Sequence, residues 1–207
     1  MPWREPAMST TNILIGADLE KDPSVIVGYG PSRAIASAQL SIGRNAHLRS
    51  GTIVYLGSTI GARFETGHNV VIREENQIGD EVCIWSNSIV DYGCRIGSRV
   101  RIHSSVYIAQ GTIIEDDVFL APGVIIANEK YPGQSWCREW DPVVIKKGAQ
   151  IGANVTLLPG VTIGEQALIG SGTVVSRDVP SGMCAYGNPA RCKVAVADLG
   201  LAKRSAL

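Results

Sequence analysis

IWSNSIVDYGCRIGSRVRIHSSVYIAQGTIIEDDVFLAPGVII, Ile84–Ile126, is the stretch that decides the fold. Every sixth residue in it is aliphatic: Ile84, Val90, Ile96, Ile102, Ile108, Ile114, Leu120, Ile126. The same step runs back through Ile78, Ile72, Thr66, Ile60, Val54 and Leu48 to Ile42, and Thr66 alone is not aliphatic. It resumes at Ile145 and continues through Ile151, Leu157, Ile163 and Ile169 to Val175. A helix would space its apolar residues by about 3.6 and a simple strand by about 2. A sustained period of six is a repeat.

A second column fixes the geometry of each unit. Four residues after each aliphatic stands a small or β-branched residue, as at Val70, Val82, Ser88, Cys94, Val100 and Val106. That residue and the next aliphatic are two apart, so both point to one side of a short strand. The residue at i+3 is often Gly, Asn or Asp, as at Asn45, Gly51, Asn69, Asn87, Gly93, Asp117 and Asp178. These types tolerate positive φ, so i+3 is the corner. Three units close a triangular coil of eighteen residues, and coils stack about 4.8 Å apart. The expected organisation is an all-β parallel β-helix over residues 42–180, a cap over 1–41 and a tail over 181–207. Ile13–Ile15 and Val25–Val27 are expected strands of the cap, and Asp198–Arg204 an expected short helix. The register breaks over 129–144, a segment with Tyr131, Pro132, Trp136, Cys137, Trp140 and Pro142. Aromatics and prolines do not fit a coil, and a long excursion from a repeat is usually functional.

Residues eighteen apart stack, so the three edges can be compared. The edge after Ile60, Ile78 and Ile96 reads as plain, Ile-Gly with small polar residues. The next stacks Gly67, Trp85, His103 and Ala121 beside His68, Ser86, Ser104 and Pro122. The third stacks Arg73 on Asp91, and Glu74, Tyr92, Gln110 and Asn128 in one line. Two dressed edges and one plain edge imply that the dressed ones face a ligand and a partner subunit.

Composition limits the alternatives. With 19 Lys+Arg against 19 Asp+Glu, net charge is +0, and no basic block suits nucleic acid. No apolar run reaches the roughly 18 residues of a membrane span, and Met1–Thr11 lacks a signal-peptide core. Five cysteines without CxxC spacing argue against a disulfide framework or zinc ribbon and for reduced thiols in a cytoplasm.

On this repeat the chain resembles the left-handed parallel β-helix of hexapeptide-repeat acyltransferases. IGANVTLLPGVTIGEQALIGSGTVVSRDVPSGMCAYGNPAR, Ile151–Arg191, is similar to the coenzyme A-binding end of that family. The resemblance implies acetyl-coenzyme A or another acyl-coenzyme A as co-substrate. It points to Gly152, Ala153, Gly170, Ser171 and Pro189 along the pantetheine arm, and to Arg177 and Arg191 near the phosphates. TGHNVVIRE (Thr66–Glu74) and IEDDVFLAPGVIIANEKYP (Ile114–Pro132) resemble the nucleotide-linked amino-sugar N-acyltransferases. That implies a homotrimer with sites between subunits, and an acceptor amine on a nucleotide-linked amino deoxysugar.

The chemistry needs an amine lone pair to attack a thioester carbonyl. Juxtaposition supplies much of the acceleration, and a base assists. His68, His103 and Asn128 are the candidate catalytic residues. Asp91, Ser104 and Tyr131 are candidate acceptor contacts. Each residue type also has a structural role to weigh: His103 as a ring packed on Trp85, Asn69 and Asn87 as turn formers, Asp91 as a surface salt bridge to Arg73. Trp85, Trp136 and Trp140 are candidates to stack on a base or to pack on a neighbour. No cysteine has an activating setting, so direct transfer is expected over an acyl-enzyme. Other amine or hydroxyl acceptors would use the same coenzyme end. A metal hydratase on this fold would need three converging histidines. His47, His68 and His103 are the only three, with no HxxxxH pair, so no metal is expected.

Overall fold

The computed structural model describes residues 13–131 and 141–200. They form a left-handed parallel β-helix of three faces. Face one carries Ile13–Ile15, Leu40–Ile42 and six two-residue strands ending at Thr162–Ile163. Face two carries eight such strands from Glu20–Lys21 to Leu168–Ile169, then Met183–Tyr186 and Arg191–Ala195. Face three runs from Ile26–Tyr29 to Val174–Val175. The first edge joins face one to face two, the second joins two to three, and the third joins three back to one.

The period-six column forms the core. Leu48, Val54, Ile72, Ile84, Val90, Ile108, Leu120 and Ile126 are all 0% exposed. Each buried Ile or Leu contributes about 1.5–3 kcal/mol of hydrophobic stabilisation. Val70, Val82, Val100 and Val124 of the i+4 column are also 0% exposed, so the prism is filled from both columns. Corners behave as read: Asn69 and Asn87 hold φ of 56° and 61°. Asp178 does not, because the repeat is already ending there; its carboxylate instead accepts the Thr162 amide at 2.8 Å.

Parallel pairing begins before residue 42 and continues past 180. Ile15 pairs with Ile42, so nine extra residues leave the coil between Val27 and Ile42. Ile114 pairs with Ile145, 31 residues on where the usual step is 18. The 129–144 excursion therefore inserts thirteen residues and replaces none of the coil. Its Trp136, Cys137 and Trp140 lie outside the described residues. At the far end Arg191–Ala195 lies antiparallel on Met183–Tyr186 and covers an open sheet edge.

One expectation is corrected and another lies largely beyond the described residues. Of the expected Asp198–Arg204 helix, residues 201–204 lie outside the described residues, and what precedes them is a 3-10 turn over Val196–Leu199, ended by Gly200 at φ 64°. The first edge is not plain. Its i+3 column alternates in sign, Arg63, Glu81, Arg99 and Asp117, and the stacked side chains pair. Lys146 meets Glu115 at 2.8 Å on the same edge. The i+1 and i+2 positions are bland after Ile60 and Ile96 but carry Glu115, Asp116, Lys146 and Lys147 further on, and the eighteen-residue stack turns the i+3 charges into a ladder.

Candidate active site

The second edge gathers most of the expected residues in two adjacent columns. From the N-terminal end, Gly67, Trp85, His103, Ala121, Gly152 and Gly170 follow one another at i+1. His68, Ser86, Ser104, Pro122, Ala153 and Ser171 follow at i+2. This order follows from the strand pairing on face two, where Ile84 stacks on Thr66, Ile102 on Ile84, Leu120 on Ile102, Ile151 on Leu120 and Ile169 on Ile151. His68 and His103 thus share one straight edge with Gly152, Ala153, Gly170 and Ser171, although some 85 residues separate Gly67 from Gly152.

His68 is exposed, with Nδ1 2.8 Å from Ser50 Oγ. Its amide donates to Ser86 Oγ at 3.0 Å. His103 is enclosed differently. Trp85 lies 4.1 Å from its ring on one side and Phe119 5.2 Å on the other. Burial pushes the His103 imidazole below its ordinary pKa, so it is neutral at neutral pH. The Trp85 packing expected for His103 is present as an edge-to-face contact, and Phe119 makes a second one. Ser104 is half-buried one coil beyond Ser86.

Gly152 and Gly170 fit the edge for a reason within the chain. A Cβ on Gly152 would lie 2.6 Å from the Ser171 nitrogen, and one on Gly170 2.8 Å from Tyr186 Cβ. Their amides donate to Ile169 O and Ala185 O at 2.8 and 2.9 Å, and the Ala153 amide donates to Ser171 Oγ at 3.1 Å. Those three amides are engaged in the coil stack. What remains for a ligand is the small relief of the edge itself. Beyond it, Arg177 and Arg191 line a cleft of about 150 Å³ with Asp178, Ala185 and Ala190. Two guanidiniums in one cleft suit a phosphate. Pro189 is exposed beside it. A larger concavity, about 680 Å³, lies along face one around Gln77, Arg95 and Ile113, and touches none of the candidates.

Asn128, Asp91 and Tyr131 lie elsewhere, on or beyond the third edge. Asn128 is 8% exposed and donates to Gln110 O at 3.3 Å. Tyr131 is 66% exposed at the start of the excursion. Within one chain the structure separates these three from His68 and His103 by the width of face three. Asp91 makes the expected salt bridge to Arg73, but as a buried residue, 8% exposed, and not at the surface. Its carboxylate accepts Arg73 Nη1 at 3.2 Å, the Tyr92 amide at 2.9 Å and the Tyr107 hydroxyl at 3.0 Å. Burial, reinforced by Asp91, pushes the Tyr107 phenol up to about 12.

Beside Asp91 lies a cluster that sequence reading missed. Glu74 is fully buried and accepts Arg33 Nε at 2.6 Å and Arg73 Nη2 at 2.9 Å. The Arg33 guanidinium also pairs with Glu75 and sits 4.1 Å over the Tyr92 ring. Arg33 belongs to the nine-residue insertion, outside the repeat, so no period could have paired it. The Ala36 amide donates to Glu75 at 2.8 Å. That bond, and after it Arg33, holds the Glu75 carboxyl below the usual range against burial, which raises it. A carboxylate with a lowered folded-state pKa stabilises fully above its unfolded value, about 4.3, and loses this as pH falls through the lowered value. Glu75→Gln should therefore lower the thermal midpoint at neutral pH, and the gap to wild type should close on acidification. A gap that persists below about pH 3 would refute this.

Cys94 is a core residue: its thiol faces the Asp91 and Ala109 carbonyls at 3.3 Å, and burial pushes it up to about 12. Among the described residues no three His, Cys, Asp or Glu converge as a metal site, and His47 pairs with Glu20 at 2.8 Å.

The family of bacterial transferase hexapeptide repeats matches residues 93–128 and 142–177. A Saccharomyces cerevisiae protein named as an acetyltransferase is 33% identical over 150 residues, covering 66% of this chain and 74% of that one. The dTDP-3-amino-3,6-dideoxy-alpha-D-galactopyranose 3-N-acetyltransferase of Aneurinibacillus thermoaerophilus is 56% identical over 50 residues, 24% of this chain. The match spans only 26% of that enzyme's length. The solved UDP-N-acetylglucosamine acyltransferase of Bacteroides fragilis shares the fold, with TM-score 0.74 over 93% of this chain and 75% of that one at 18% identity.

Proposed function

Because the chain belongs to the hexapeptide-repeat transferases, we propose that it transfers an acyl group, most simply acetyl, from a coenzyme A thioester to the amine of a nucleotide-linked amino deoxysugar. The observation that carries the reading is the second edge, where one line leads from Ser171 past Ala153 and Pro122 to His103 and His68; the arginine cleft lies at the same C-terminal end of the prism. The 50-residue likeness to an amino-sugar 3-N-acetyltransferase supports the choice of acceptor.

In this reading Arg177 and Arg191 hold the coenzyme phosphates. The pantetheine arm lies along Gly170, Ser171, Gly152, Ala153 and Pro189. His68 takes a proton from the acceptor ammonium. The freed lone pair attacks the thioester carbonyl, the carbon–sulfur bond breaks, the departing thiolate takes the second proton that the nitrogen sheds as it becomes an amide, and His68 releases its proton to water. The base is assigned to His68 and not His103 because packing already accounts for His103. His103 stays neutral and walls the site with Ser104.

Asn128, Asp91 and Tyr131 can join this site only from a second chain. The outward side of face three favours such packing. Ile26, Ile89 and Ile125 are 44%, 38% and 40% exposed there, with Ile53, Val71 and Val174 in the same outward row. Faces one and two carry charges in their outward rows, at Arg95 and at Glu65 and Arg101. A homotrimer packed through face three sets the second edge of one copy near the third edge of the next. Asn128 then orients the amine, and Asp91 and Tyr131 meet the sugar. Free Cys83, Cys94, Cys184 and Cys192 fit a reducing cytoplasm. Among the described residues no helix is long and apolar enough to cross a membrane.

The test is thiol release from acetyl-coenzyme A with a panel of nucleotide-linked amino sugars, free amino sugars and sugars lacking the amine. Release that needs both amine and nucleotide is the expected result. Release with hydroxyl acceptors or free amines alone would replace the sugar-nucleotide reading.

A further inference from the structure

Thr66 departs from the pattern in sequence and in hydrogen bonding. It is the polar exception in the period-six column, 6% exposed inside the prism. On the second edge, the residue after the inward one normally donates its amide to the next coil's carbonyl. Gly67 does so to Ile84 at 2.7 Å, Trp85 to Ile102 at 2.8 Å and His103 to Leu120 at 2.9 Å. The Arg49 amide instead donates to the Thr66 hydroxyl at 3.0 Å. Strand pairing between these two coils is reduced to His47 with Glu65.

The buried hydroxyls form a directed chain. Thr52 Oγ1 lies 2.9 Å from Thr66 Oγ1 and 3.3 Å from the Gly67 carbonyl. A carbonyl only accepts, so the Thr52 proton goes to Gly67. The Thr66 proton then goes to Thr52, and the Thr66 oxygen receives the Arg49 amide. Every donor is used, and the turn at 49–51 is tied to the turn at 67–69. Ser50 stands in the first turn and His68 in the second. The Ser50 amide is held by Asp22 Oδ2 at 2.8 Å and the His68 amide by Ser86 Oγ at 3.0 Å. The Ser50 hydroxyl meets His68 Nδ1 at 2.8 Å. A buried polar side chain is unfavourable at a position where Ile or Val is otherwise the rule. Its visible effect here is to set one turn against the other.

We propose that Thr66 and Ser50 are positioning residues for His68: Nδ1–H donates to Ser50 Oγ, and Nε2 keeps its lone pair for the acceptor. The direction of that bond rests on the reading of His68 as the base, because only the tautomer protonated at Nδ1 can accept a proton at Nε2.

The full chain has three histidines, so ring nitrogen resonances in a ¹⁵N-labelled sample can be assigned by substitution. Wild type should hold His68 protonated at Nδ1. Ser50→Ala and Thr66→Val should both shift it toward the other tautomer. Val suits the column, so Thr66→Val keeps the fold. Both variants should lose about tenfold to a hundredfold in kcat, with KM for the acyl donor little changed. Ser50→Thr, which keeps the hydroxyl, should retain tautomer and rate. A wild-type His68 protonated at Nε2, or a ring spectrum indifferent to both substitutions, overturns the proposal. A tautomer that shifts as expected while His68→Ala keeps full activity supports the positioning and removes the base assignment instead.

Discussion

His68→Ala should lower kcat for thiol release by about 10²–10⁴-fold, the usual contribution of a positioned acid–base group. KM for acetyl-coenzyme A should change little, since His68 lies at the far end of the edge from the arginine cleft. The loss should be smallest at high pH, where more of the acceptor amine is already neutral. His103→Ala should cost less, because that ring is packed between Trp85 and Phe119 and its removal mainly opens a gap. Steady-state rates for the two variants across pH separate these outcomes. His68→Ala and His103→Ala enzymes both within a few-fold of wild type at neutral pH would mean that neither imidazole takes the proton. The proton would then pass late to the departing thiolate.

The joint replacement Arg33→Ala with Arg73→Ala should destabilise the fold by about 3–5 kcal/mol, the cost of leaving a buried charge without a partner. Glu74 is 0% exposed, and these two guanidiniums are its ion-pair partners, Arg33 at 2.6 Å and Arg73 at 2.9 Å. Either single replacement leaves one cation and should cost about 1–3 kcal/mol. Adding Glu74→Leu to the double variant should recover much of the loss, because an apolar residue needs no partner. Urea midpoints of the four proteins test this. Equal midpoints for the double and triple variants would show that the stabilisation is packing of the 28–41 insertion and not the charge of Glu74.

Much of the site was legible because stacking converts sequence distance into spatial order. Once the period is six and the coil eighteen, His68, Ser86 and Ser104 must fall in one line, and so must Gly152 and Gly170. The first-edge ladder is equally legible at i+3, where Arg63, Glu81, Arg99 and Asp117 alternate in sign. Ser50 stands eighteen before His68 and could have been found by the same count. Arg33 could not, since it lies in an insertion with no register. Asp91 was read as exposed because its partner Tyr107 sits sixteen residues on, on the neighbouring strand, an offset the coil count does not pair.

By itself the sequence determined the prism, its inward column and the residues on each edge, because a strict period leaves one way to bury Ile and Val together. Tertiary structure alone decided how the departures from the period are used. The hydroxyl of Thr66 redirects a ladder bond, a carboxylate at Glu74 is enclosed by an arginine from outside the repeat, and thirteen residues leave the coil without disturbing it. The first two depend on which buried polar atom finds a partner, and hydrogen-bond geometry across coils is set by positions in space that no spacing along the chain specifies.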